Sequence, residues 1–120
     1  MKNLILILSL FISCHNNVLA QLNEVKVNDK GSIVLDENSE LNSHYTLNLS
    51  EFEFDSDQKA IEYFNGLNTE YVIYRPTLYQ GTVQIYLQLK KKPDWTLADW
   101  NEYFEKHKMD SIETIRKPSK

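Results

Sequence analysis

The stretch YVIYRPTLYQGTVQIYLQL, residues 71–89, decides the fold. Its first part, Tyr71–Arg75, is rich in aromatic and β-branched residues, which pack well on a pleated surface and so favour a strand. Pro76 reads as the end of that strand, Tyr79-Gln80-Gly81 as a turn, and Thr82–Leu89 as a second strand. In the second run Val83, Ile85, Leu87 and Leu89 alternate with Thr82, Gln84, Tyr86 and Gln88. A period of two sends the apolar set to a core and the polar set to the opposite face. Two such strands joined by a short Gly-containing turn form an antiparallel hairpin.

Upstream of the hairpin, Tyr45, Leu47 and Leu49 alternate with Thr46, Asn48 and Ser50, again a strand. Phe52 and Phe54 carry the alternation on one residue out of step, which a bulge near Ser50-Glu51 would produce. Asp55 or Ser56 is expected to cap a helix with the stripe Ala60, Ile61, Phe64 and Leu67, fraying at Asn65-Gly66. Downstream, Lys90-Lys91-Lys92-Pro93 closes the last strand. The segment PDWTLADWNEYFEKH, residues 93–107, then carries a full helix-start signal. Thr96 is the N-cap, Asp99 completes a capping box, and Trp95 and Trp100 stand at the spacing of a hydrophobic staple. Leu97, Trp100, Tyr103, Phe104 and His107 make the stripe expected to be buried.

The order is strand, helix, strand, strand, helix. A right-handed crossover makes the first two strands parallel neighbours or near neighbours, and both helices then cover one face of a small mixed sheet. The expected fold is α+β: a two-layer sandwich, β-α-β-β-α, close to a truncated ferredoxin-like fold. The domain is expected to span 44–109. Residues 21–43 read as a polar tether or arm with a short edge strand at Ser32–Leu35. Residues 110–120 read as a polar, basic tail with weak apolar marks at Ile112 and Ile115.

The N-terminus reads as an address. Lys2 precedes the uncharged run Leu4–Ile12 and the polar residues from Ser13 to Asn17, the layout of a secretory signal. The apolar run is too short to span a membrane, which takes about 20 residues. Two cuts fit. Val18-Leu19-Ala20 suits ordinary cleavage before Gln21, giving a signal peptide of residues 1–20. Phe11-Ile12-Ser13-Cys14 resembles a bacterial lipobox, giving a lipoprotein signal of residues 1–13 and a lipid on Cys14. Membrane association is expected only through the signal or that lipid. The protein is expected to be exported, periplasmic or secreted, or alternatively an outer-membrane lipoprotein.

The net charge is −4, and loss of residues 1–20 removes one lysine and no acid, leaving −5. An acidic chain of this kind argues against nucleic acid as a partner. Cys14 is the only cysteine, so no disulfide, Cys-based metal site or thiol nucleophile is expected in the domain. His15, His44 and His107 have no metal-ligand spacing, and the chain holds no HExxH, GxGxxG, P-loop or GxSxG. No cofactor, metal or catalytic residue is assigned.

Glu51 and Glu53 share a face of the expected first strand and could in principle exchange protons. Solvated surface charge is the plainer explanation. The open sheet face is the stronger candidate. Thr82, Gln84, Tyr86 and Gln88 should line it, and Tyr and Gln suit contact with a sugar, with a peptide or protein partner, or with a second copy of the chain. The leading expectation is an exported, non-enzymatic binding domain of the bacterial envelope. The alternatives are a small carboxylate-dependent hydrolase or accessory subunit, and an inhibitor or immunity-type protein.

The segments EFDSDQKAIEYFNGLNTEYVIY, residues 53–74, and KPDWTLADWNEYF, residues 92–104, resemble small exported proteins of unknown function from Bacteroidota. The resemblance implies a location and a compact α+β domain. It implies no activity and no catalytic residue.

Overall fold

A computed structural model describes residues 23–110 and 112–117. Five strands form one sheet: β1 (Glu24–Val27), β2 (Ile33–Val34), β3 (His44–Asn48), β4 (Val72–Thr77) and β5 (Thr82–Leu87). Their spatial order is β2-β1-β3-β5-β4. β5 is antiparallel to both β3 and β4, and β1 runs parallel to β3. Helices α1 (Asp57–Asn65) and α2 (Leu97–Lys106) cover one face, and α3 (Ile112–Ile115) is a single turn near the C-terminus. The result is a two-layer α+β sandwich. β3 and β4 point the same way with β5 between them, the near-neighbour arrangement that a right-handed β-α-β crossover allows.

The helix starts obey their capping chemistry. Ser56 caps α1, its hydroxyl accepting from the Lys59 amide at 3.1 Å. Thr96 and Asp99 form the complete capping box of α2. Trp95 and Trp100 close the staple, edge to face at 4.9 Å between ring centres. Trp100, Tyr103 and Phe104 are buried from α2 and Phe64 from α1. They join Val72, Val83, Ile85 and Leu87 of the sheet in one core. His107, placed by its spacing on the buried stripe, is exposed. It is the C-cap residue of α2, and its ring stacks on the outer side of Tyr103 at 4.1 Å.

Three boundaries differ from the sequence reading, each for a local reason. β4 runs through Pro76 to Thr77 rather than stopping before it. It is an edge strand, and the missing proline N–H faces away from β5, so no ladder bond is lost. β5 ends at Leu87, because Leu89–Lys91 tighten into a 3₁₀ turn, and this leaves Gln88 beyond the strand. The expected bulge near Ser50-Glu51 is instead the end of β3. The Asn48 side chain accepts from the Ser50 amide at 2.8 Å, and the Leu49 carbonyl from the Phe52 amide at 3.0 Å, which turns the chain.

The largest difference lies at the two ends. Residues 24–34 are not a tether: β1 and β2 extend the sheet, and Val25, Ile33 and Leu35 are core residues. The C-terminal segment docks on them. Met109 and Ile112 are buried, and the Met109 amide donates to the Gly31 carbonyl at 2.9 Å. Gly31 has φ +88°, and a side chain there would meet the Met109 carbonyl oxygen at 3.0 Å. Only glycine meets both demands. Arg116 donates to the Val27 and Asn28 carbonyls and lies over the Phe52 ring, while Phe52 and Arg116 form an isolated antiparallel bridge. The domain therefore starts well before His44 and continues beyond Met109.

Candidate functional site

The face of the sheet opposite the helices is a network of polar side chains. β5 is its middle, with β3 on one side and β4 on the other. Register sets the rows: His44, Tyr86 and Ile73 lie side by side, then Thr46, Gln84 and Arg75, then Asn48, Thr82 and Thr77.

Gln84 sits at the centre, and all of its amide atoms are engaged. Its Oε1 accepts from His44 Nε2 at 2.5 Å and from Thr46 Oγ1 at 3.2 Å. Its Nε2 donates to Thr82 Oγ1 at 3.1 Å and Thr77 Oγ1 at 3.3 Å. The two threonine hydroxyls meet each other at 2.7 Å. Because an amide oxygen only accepts, His44 must carry its proton on Nε2 when neutral, leaving Nδ1 as an acceptor. The His44 ring stacks on Tyr86 with centres 4.8 Å apart and planes at 12°. From the other neighbouring strand, the Arg75 guanidinium lies 5.7 Å from the centre of the same Tyr86 ring. Tyr86 is thus held between two strands by aromatic and cation–π contact. Ile73 beside it is 37 % exposed and Val34, at the far edge of this face, is 41 % exposed.

Thr82, Gln84 and Tyr86 stand together on this face, and Gln88 does not continue the row because it lies past the end of β5. His44, Thr46, Ile73, Arg75 and Thr77 share the face and were missed. The signal was present, since the alternation of the first strand and of Tyr71–Arg75, paired in register with the hairpin, puts them there. Cys14 lies outside the described residues.

Side chains engage outward backbone groups at both sheet edges. On β4 the outward amides of Val72 and Tyr74 donate to Thr69 Oγ1 at 3.2 Å and Asn68 Oδ1 at 2.6 Å, and Pro76 has no amide to offer. Beyond β2, the Asn101 amide of α2 stands in for a strand. It accepts from the Leu35 amide at 2.7 Å and donates to the Leu35 carbonyl at 3.0 Å. An open edge invites pairing with another chain, and these contacts occupy part of that template at both ends.

Other chemistry on the molecule is already committed. Glu51 and Glu53 lie past the end of β3, not on a shared strand face. Both are exposed and make no side-chain hydrogen bond or ion pair among the described residues. Their backbones hold the C-terminal segment: the Glu51 carbonyl accepts from Lys117 and the Glu53 amide donates to Ile115. Lys92 lies over the rings of Tyr71 and Trp95, at 5.0 and 5.2 Å. A cleft of about 530 Å³ near the end of α2 is lined by Thr69, Lys106, His107 and Asp110, among others. Its His107 has Nδ1 against the Tyr103 carbonyl at 2.9 Å. Tyr103 hydrogen-bonds Thr69 through its hydroxyl; burial holds its phenol above the ordinary range, and the Thr69 bond partly offsets this. No group of three or more His, Cys, Asp or Glu suited to a metal occurs among the described residues. No helix among them is long and apolar enough to cross a membrane.

Comparison with family models, curated proteins and solved structures finds no match to this chain.

Proposed function

We propose that this chain is an exported, non-enzymatic binding domain of the bacterial cell envelope that holds a protein partner on the open face of its sheet. The observation that carries the reading is the ordered Gln84 network with the partly exposed Tyr86 beside it. Side chains already fixed by one another lose little freedom when a partner settles on them, which favours affinity. Tyrosine supplies large contact area with a polar tip. Side-chain bonds at both edges oppose strand addition, and the face is the broad surface of the sheet that the helices leave uncovered.

The N-terminal segment supplies the export part of the reading. Expressed in a Gram-negative host, the full chain should yield a mature mass starting at Gln21 or at a lipid-modified Cys14. A mass still beginning at Met1 in correctly folded protein would count against export. For binding, Tyr86→Ala and Gln84→Ala should reduce the associations of the protein in the envelope fraction while its circular dichroism is kept. Associations unchanged by both substitutions would remove the face as the binding site.

A further inference from the structure

Charge is unevenly shared between the surfaces of this domain. The chain has 17 acidic residues, yet only Glu24 stands at an open-face position of the five strands, and its carboxylate already meets Lys26 at 3.4 Å. The carboxylates of the helical layer are on α1, with Asp57 and Glu62, and on α2, with Asp99, Glu102 and Glu105. On the open face Arg75 is exposed and has no ion pair among the described residues. An acidic protein thus presents one face whose unneutralised charge is positive.

We infer that the open face takes an acidic segment of a partner polypeptide, with a carboxylate on the Arg75 guanidinium and an apolar neighbour against Ile73 and Tyr86. The inference rests on the proposed binding role of this face and names the chemistry of its partner. A guanidinium lying over an aromatic ring still offers its N–H edge, and that edge matches a carboxylate in bidentate fashion. Tyr86 both receives the guanidinium and presents apolar area next to the exposed Ile73. His44, held by Gln84 through Nε2, keeps Nδ1 turned to no partner among the described residues, so the face has a further polar contact to give. The net acidic charge of the molecule disfavours a like-charged partner elsewhere except at the Lys90–Lys92 turn, which is the competing site that the test must separate from this face.

The test is a titration of the ¹⁵N-labelled protein, purified after expression of the full chain, with deca-glutamate, decalysine, a neutral Gly/Ser decapeptide and deca-thymidine. Deca-glutamate should move the amides of His44, Arg75 and Tyr86, and the effect should fade as salt is raised to about 0.5 M. Arg75→Ala should weaken the response about five-fold. Arg75→Glu should abolish it and let decalysine act on the same amides. Both substitutions are at an exposed position, and the spectrum itself reports that the fold persists. The inference is overturned if deca-glutamate leaves these amides unmoved, if it moves only the Lys90–Lys92 turn, or if deca-thymidine moves them more. A face that answers the neutral or basic peptide instead keeps its binding role and loses its acidic partner. A face that answers no probe, in a protein whose envelope associations ignore Tyr86→Ala, loses both.

Discussion

On one side of β5, Val83, Ile85 and Leu87 are at most 3 % exposed and share a core with Phe64, Trp100 and Phe104. On the other side, Thr82, Gln84 and Tyr86 are half-buried and meet side chains of β3 and β4. Six consecutive residues thus divide two tasks by the period of the strand alone. The covered side gains free energy from apolar area removed from water, which is large and does not depend on direction. The open side holds directed hydrogen bonds that water could largely replace, so its net contribution to stability is small. Stability and recognition should therefore respond separately to substitution, and that separation can be attacked from either side.

The heaviest blow falls on the covered side. Phe64 is fully buried and touches Phe54, Tyr63 and Tyr74 through ring contacts between 5.2 and 6.3 Å. Phe64→Ala should cost about 3–5 kcal/mol in denaturant unfolding, through lost transfer energy and the cavity left behind. Small domains hold about 5–15 kcal/mol in all, so this variant should lie near the edge of folding. A loss below about 1 kcal/mol would mean that α1 is not part of the cooperative core.

The next test is at the sheet's edge, where β2 is closed by a side chain rather than a strand. Asn101→Ala removes both bonds to Leu35, whose side chain is buried, and should cost about 1–3 kcal/mol. Hydrogen exchange at the Leu35 amide should quicken beyond what global unfolding explains. Asn101→Asp keeps the acceptor for that amide but places a carboxylate beside Glu37, which Asn101 now contacts at 3.1 Å, so it should not restore the wild-type value.

The same edge shows where sequence reading reaches and where it stops. The hairpin, both helices, the capping box and the Trp95–Trp100 staple were legible because each is fixed by contacts close in sequence, no further apart than Val72 and Leu87 in the hairpin. The tail and most of the arm were not, although the short edge strand read at Ser32–Leu35 stands as β2 at the sheet's edge. Val25 carries no local pattern that marks it as core; it becomes core because β3 accepts β1 as a parallel neighbour, pairing Val25 with Leu47, 22 residues on. Ile112 is a lone apolar residue until the Gly31 turn receives it. The site was half legible for the same reason. Alternation gave Thr82, Gln84 and Tyr86, whereas His44 and Arg75 join them only through pairing across strands, and Gln88 was lost to a 3₁₀ turn that its own alternation does not foreshadow.

Alkaline pH separates the two faces without a core truncation. Burial, with Asp110 nearby, pushes the Tyr63 phenol up to about 12, and burial likewise raises Tyr74 and Tyr103. In the unfolded chain these phenols ionise near 10. The folded state then holds protons that the unfolded state has released, so the contribution to stability is complete below pH 10 and is lost as pH rises above it. Urea unfolding between pH 8 and pH 11 should show this decline. Tyr63→Phe removes one of the titrating groups and should flatten the slope. Below pH 10 it should cost about 0.5–1.5 kcal/mol, since the bond from the Tyr63 hydroxyl to the Asp110 carbonyl is lost. A decline of equal slope in the variant would assign the alkaline loss to other groups.

The smallest effect on stability should come from the centre of the open face. Gln84→Leu deletes four hydrogen bonds at once, more than any other single change considered above. Counting bonds alone would make it severe. Yet the freed hydroxyls of Thr46, Thr77 and Thr82 are half-exposed and can turn to water, and leucine keeps apolar contact beside Tyr86. The change should stay within about 1 kcal/mol of wild type. What it should lose is order: without Gln84, His44 has no fixed tautomer and its stack on Tyr86 has no second anchor. Nuclear magnetic resonance of the His44 and Tyr86 rings should show averaging in the variant, together with a weaker response of Arg75 to acidic peptide. A Gln84→Leu protein that is strongly destabilised would show that the open face supports the fold after all, and that the two sides of β5 do not divide the work.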